Sequence, residues 1–245
     1  MSKFHFSTRD IGGVAVFDLI GDPTFETVQG VAWKIQKSIR RHRLQRIILN
    51  FQEAGTMDAI GVRRLLAVCI RPKHSVIYGA SPETVHFFEE NCFTTRVDVC
   101  ADEKAVAESF GPFLFEKDPE KRFPAKDVKH HKESIGYQLE RRRNQRMHVA
   151  LPLELMIATS GGEVVKTTAI ATNISEGGLF ADYLDLAVAH RIDALDPIKN
   201  LPVDMRIFPS ANFPEEYHVR GIIRRKEIRK TQVGLAIEFR GKAPK

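Results

Sequence analysis

Residues 149–183 read "VALPLELMIATSGGEVVKTTAIATNISEGGLFADY", and the fold of the C-terminal half turns on them. Val149, Leu151, Leu153, Leu155 and Ile157 recur at every second position, which places them on one face of an extended strand. "SGGE" (160–163) is a hairpin turn signal. "VVKTTAIATNIS" then returns as a second strand, and "GLFADY" follows as a short third. Residues 201–208, 217–226 and 232–239 supply more strands. In the last, Val233, Leu235, Ile237 and Phe239 alternate with Gln232, Gly234, Ala236 and Glu238. Many short strands with few helix signals predict a small antiparallel β-barrel.

Working outward, "ERRRNQRMHV" (140–149) sets Arg141, Arg142, Arg143 and Arg146 immediately before the first of these strands. Alone, such a run fits a solvated charged segment, a nucleic-acid patch or a site for one small anionic ligand. "TNISEGG" (172–178) alone is a polar turn, since Asn and Ser bond the backbone locally and Gly tolerates positive φ. The relation between the two carries the information. One hairpin out and back returns the chain to the same end of the barrel. Arg142 and Arg146 would then face the amide of Asn173, the hydroxyl of Ser175 and the exposed backbone of Gly178.

An Arg-x-x-x-Arg pair (Arg142, Arg146), then a strand hairpin, then Asn-x-Ser-x-x-Gly (Asn173, Ser175, Gly178) resembles the pattern of the PilZ domain. "MHVALPLEL", "LFADY" and "VGLAIEF" fit the flanks, and the resemblance covers about residues 138–242. It implies a receptor for cyclic di-GMP, with Arg142, Arg146, Asn173, Ser175 and Gly178 as ligand residues. Arg141 and Arg143 are either helpers or solvated charges. The chemistry suits that ligand. Arginine forks match phosphate oxygens and the O6/N7 edge of guanine, which a lysine point charge does not. Asn and Ser oxygens can accept from guanine N–H donors.

The N-terminal half has a different rhythm. "VAVFDLI" (14–20), "RIILNF" (46–51), "SVIYGA" (75–80) and "RVDVC" (96–100) read as strands. A helix over 23–41, with Asp22 and Pro23 as cap and first turn, follows the first. Asp58 caps a second helix that ends before Pro72, Ser81 and Pro82 open a third, and "ADEKAVAESF" (101–110) is a short fourth. Strands alternating with helices predict an α/β layer with a largely parallel sheet. Over about residues 5–112 this order, with "RIILNFQEAGTMDAIGVRRLLAV", resembles the STAS (anti-sigma-factor-antagonist) domain. The family loop reads roughly Asp-Ser-Ser-Gly-Leu, and its second serine is phosphorylated in partner-switching members. Asp58 and Gly61 stand at the matching places, but Ala59 and Ile60 replace both serines. A phosphate switch at that helix terminus is therefore closed, and nothing argues for Thr56 as a substitute. The half is expected to be a scaffold or protein-docking module. Trp33 is expected to serve packing or a contact surface.

The expected organisation is an α/β domain at 1–112, a basic linker at 113–140 and a barrel domain at 141–245. Of the formal net charge of +6, residues 1–112 and 149–245 carry +1 each and residues 113–148 carry +4. A nucleic-acid binder would more often spread its excess over a folded face, so nucleic acid is not the expected partner. His130 and His131 are adjacent, with no third ligand at a suggestive spacing, and read as solvated rather than metal-binding. Cys69, Cys92 and Cys100 lack C-x-x-C spacing and read as reduced thiols. No signal-peptide core or 18-residue apolar run occurs, so a cytoplasmic protein without a membrane span is expected. There is no nucleophile–base motif, P-loop or metal-ligand cluster. The expectation is a non-enzyme without cofactor or metal, with cyclic di-GMP as ligand and a protein partner on the STAS-like half. The alternative is a partner-switching regulator whose PilZ-like barrel binds nothing.

Overall fold

The computed structural model describes residues 4–90, 97–110, 147–159, 161–195, 198, 200–210, 213–229 and 232–240. The linker at 113–140, with His130 and His131, lies outside the described residues, as does Cys92.

The N-terminal sheet has five strands in the order β1-β2-β3-β4-β5: His5–Ile11, Val14–Gly21, Arg46–Ala54, His74–Tyr78 and Val97–Cys100. β1 pairs antiparallel with β2, and the remaining pairs are parallel. Helices α1 (Phe25–His42), α2 (Ala59–Cys69), α3 (Pro82–Glu90) and α4 (Glu103–Phe110) connect or follow the strands. β1 is an addition to the sequence reading. The predicted cap of α1 shifts by two residues: the N-cap is Thr24, whose N–H donates to Thr27 Oγ1 at 3.0 Å. Asp58 caps α2 as expected. Its Oδ1 accepts from Gly61 N at 2.6 Å, while Oδ2 accepts from Phe25 N at 2.7 Å. One carboxylate thus closes the N-termini of two helices, and those two bonds hold its pKa below the ordinary value.

Strand periodicity divides this half's apolar residues between two faces. Ala15, Phe17, Leu19, Ile47, Leu49 and Ile77 face the buried stripes of α1 and α2, which include Val28, Ile35, Leu65 and Leu66. Val14, Val16, Ile48, Val76 and Tyr78 face the other way, against Val106 and Ala107 of α4. That second layer also contains Ile170 and Leu184 from the C-terminal half. The strands read as unbroken apolar runs because both faces are covered, one by helices and the other by α4 and the barrel.

The C-terminal half is a closed six-stranded antiparallel barrel in the order β10-β11-β8-β7-β6-β9. Its strands are β6 (Met147–Ala158), β7 (Val164–Ser175), β8 (Gly178–Asp182), β9 (Pro202–Ile207), β10 (Tyr217–Arg229) and β11 (Gln232–Phe239). Leu151, Leu153, Leu155 and Ile157, predicted to share a face, all point into its core. A helix absent from the sequence reading, α5 (Leu186–Asp193), follows β8, with Asp185 accepting from Ala187 and Val188 N–H groups. Its Val188 and Ile192 join the barrel core.

A buried polar clasp ties the halves together. The Arg9 guanidinium meets Asp18 with both oxygens, at 2.8 Å (Nε–Oδ2) and 2.9 Å (Nη2–Oδ1). It also donates to the carbonyl oxygens of Tyr183 and Leu184, just after β8. Asn50 Nδ2 donates to Asp18 Oδ1 at 2.8 Å and to the Leu184 carbonyl at 3.3 Å. Nearby, Glu103 of α4 accepts from Tyr78 Oη at 2.9 Å and from Thr168 Oγ1 of β7 at 2.7 Å. Burial, reinforced by Glu103, pushes the Tyr78 phenol well above its ordinary range, so it remains a donor. Cys69 and Cys100 are free thiols, both pushed up to about 12 by burial, and neither is activated for chemistry.

Candidate ligand cleft at the barrel rim

The β7–β8 connection is a two-residue turn, Glu176–Gly177, between the paired residues Ser175 and Gly178. Ser175 Oγ donates to the Gly178 carbonyl at 3.2 Å, which holds the turn closed from within. Phe239 N donates to the Gly177 carbonyl at 3.0 Å and fastens the turn to the end of β11. Above this turn lies a cleft of about 620 Å³. Asn173, Ser175, Glu176 and Gly178 line it together with Arg224, Arg225 and Glu238. Three of the sequence-derived ligand residues, Asn173, Ser175 and Gly178, therefore meet in one cavity.

Arg141, Arg142, Arg143 and Arg146 lie outside the described residues. The backbone register nevertheless fixes where the chain enters the barrel after them. Met147 pairs with Ile174 and His148 with Asn173, so the first described residue after Arg146 is opposite the cleft-lining end of β7.

Gly178 has a structural duty besides lining the cleft. A Cβ there would stand 2.1 Å from the Ile237 carbonyl oxygen and 3.1 Å from Glu238 Cα, so β11 could not pair closely with β8. Gly178→Ala is accordingly expected to destabilise the protein by about 1–3 kcal/mol through overpacking against backbone. Urea melts of the variant and wild type measure it. A change below a few tenths of a kcal/mol would show that β8 can move away from β11 at little cost.

The sequence reading passed over Arg224, Arg225, Glu176 and Glu238. A signal for the arginines existed: Val219, Gly221 and Ile223 keep the inward alternation of β10, and Arg225 breaks it. The physical cause is a β-bulge, because Ile223 pairs with Ile237 while Arg225 pairs with the adjacent Ala236. Both arginines consequently line the cleft, each with a carboxylate partner: Arg224 Nε to Glu238 Oε2 at 2.6 Å and Arg225 Nη2 to Glu227 Oε1 at 3.3 Å. The bond from Arg224 holds the Glu238 carboxyl below its ordinary pKa.

A second, apolar hollow of about 220 Å³ adjoins the turn and is lined by Leu151, Ile174, Phe213 and Tyr217, among others. In the α/β half, Trp33 belongs to the surface and not to the core, since it is 59% exposed with Lys37 Nζ 5.0 Å from its ring centre. Phe25 and Ile60 are also exposed. Among the described residues, no group of three or more His, Cys, Asp or Glu side chains could hold a metal ion. None of their helices is long and apolar enough to cross a membrane.

No protein-family model matches the chain, and no curated protein matches it. Several solved structures are similar to parts of it. One is the Bacillus subtilis inhibitor of motility, MotI/DgrA, at 16% identity and TM-score 0.30 over 42% of this chain; the match spans 44% of that protein's length. The PilZ domain of Escherichia coli YcgR with c-di-GMP matches at 14% identity and TM-score 0.28, covering 40% of this chain and 77% of that one. The Bacillus anti-sigma-factor antagonist SpoIIAA, unphosphorylated, matches at 24% identity and TM-score 0.30, covering 41% of this chain and 94% of that one.

Proposed function

We propose that the protein is a non-enzymatic receptor for cyclic di-GMP, which binds in the cleft above the β7–β8 turn. The observation that supports this is the pairing of Met147 with Ile174 and of His148 with Asn173, so that the residue following Arg146 lies at the end of β7 that carries Asn173 and Ser175. Arg142 and Arg146 supply bidentate contacts to phosphate or guanine, and Asn173 supplies hydrogen-bonding capacity to a base edge. Isothermal titration of the full chain with cyclic di-GMP tests this reading.

The output runs through the STAS-like half to a protein partner. The Arg9 clasp holds the carbonyls of Tyr183 and Leu184, while the other end of the β8 segment lines the cleft. Ligand alters the arrangement of the halves, or the partner binding, to the extent that it binds one state better than another. Ala59 and Ile60 at the start of α2 disfavour control of that half by serine phosphorylation.

A further inference from the structure

We propose that Arg224 and Arg225 form a second phosphate-binding arginine pair of the cleft, and that Glu238 is a built-in competitor that occupies Arg224 until ligand displaces it. The inference rests on reading the cleft as a cyclic di-GMP site, but it draws on different residues from the motif that suggested that reading.

Regular alternation in β10 would send Arg224 outward and Arg225 into the apolar core, alongside Ile223. The bulge inserts one residue between the Ile223 and Arg225 pairings, and both arginines line the cleft. Both remain accessible, with side chains 47% and 59% exposed. They share the cleft with Asn173 and Ser175. A bulge beside a cavity that puts two consecutive arginines in its lining supplies forked donors, each able to bond two oxygens of one phosphate.

Neither guanidinium is idle. Arg224 holds Glu238 at 2.6 Å and reaches Asn200 Oδ1 at 3.3 Å, and Arg225 contacts Glu227 at 3.3 Å. Glu238 lines the cleft, whereas Glu227 does not. Glu238 therefore stands where an anionic ligand would approach Arg224. A bound phosphate must take the guanidinium from that carboxylate and tolerate its negative charge nearby. Exposed ion pairs of this kind are weak, so the exchange is feasible, but it lowers apparent affinity. This gives a prediction opposite in sign to the loss of a ligand contact: removing the Glu238 charge should tighten binding.

The test is calorimetric titration of cyclic di-GMP into the wild-type full chain and four variants, with melts to confirm folding. Glu238→Gln should bind about two- to fivefold more tightly, the range given by an exposed ion pair. Arg224→Gln and Arg225→Gln should each bind about five- to a hundredfold more weakly, as expected for a lost bidentate contact. Arg224→Lys keeps the ion pair with Glu238 but loses the fork, so it should weaken binding even if Arg224→Gln folds poorly. Wild-type affinity in the three arginine variants overturns the second arginine pair. Weaker binding by Glu238→Gln overturns the competitor role, because it makes Glu238 a ligand contact. Either result leaves the cyclic di-GMP reading standing if the wild type binds. Absence of wild-type binding removes that reading and this inference together.

Discussion

Arg9→Met is expected to destabilise the protein by about 3–5 kcal/mol, the usual cost of breaking a buried ion pair from one side. Arg9 is 5% exposed and Asp18 1% exposed, so the stranded carboxylate cannot turn to water. Asn50 keeps its bond to Asp18 but cannot neutralise its charge. The carbonyl oxygens of Tyr183 and Leu184 also lose the Arg9 donor, although Leu184 retains Asn50 at 3.3 Å. Replacing Arg9 and Asp18 together by apolar residues of similar size should recover much of the loss, because desolvation opposes both charges in the native pair. Urea denaturation of the three proteins provides the comparison. An Arg9→Met loss below about 1 kcal/mol would mean that the clasp does not hold the halves together as described.

The second large effect is on binding. Arg142→Ala and Arg146→Ala should each weaken cyclic di-GMP by about 1–3 kcal/mol per lost bidentate contact, with a larger loss in the double variant. Arg142→Lys separates charge from geometry: a lysine retains the positive charge but not the planar fork, so it should restore only part of the affinity. Calorimetry on the same variants reads both. Unchanged affinity in both alanine variants would remove Arg142 and Arg146 from the site.

Much of the architecture was legible because period two and helical spacing are strong local signals. Leu151, Leu153, Leu155 and Ile157 reached the barrel core as a set, and Asp58 capped α2 as its position suggested. Long-range features left weaker traces. "HFSTRDI" is mixed and polar, and only its pairing with β2 makes it a strand; only Asp18 makes burial of Arg9 tolerable. The apolar runs of β2, β3 and β4 read as strands of an α/β layer, but not as strands that Ile170 and Leu184 of the barrel would help to cover. α5 is short, and Asp185, its cap, drew no reading from the sequence. In the cleft, the Asn173–Gly178 motif was readable because its residues are close in sequence. Arg224, Arg225 and Glu238 join them through a bulge, whose local trace is the break in alternation at Arg225, and through a strand pairing that leaves no local trace.

The most direct measurement is calorimetric titration of cyclic di-GMP into the wild-type full chain and the Arg142→Ala/Arg146→Ala variant. Saturable binding by the wild type, with most of the affinity lost in the double variant, is the expected result. No saturable binding by the wild type, or equal binding by both proteins, would contradict the proposed ligand site.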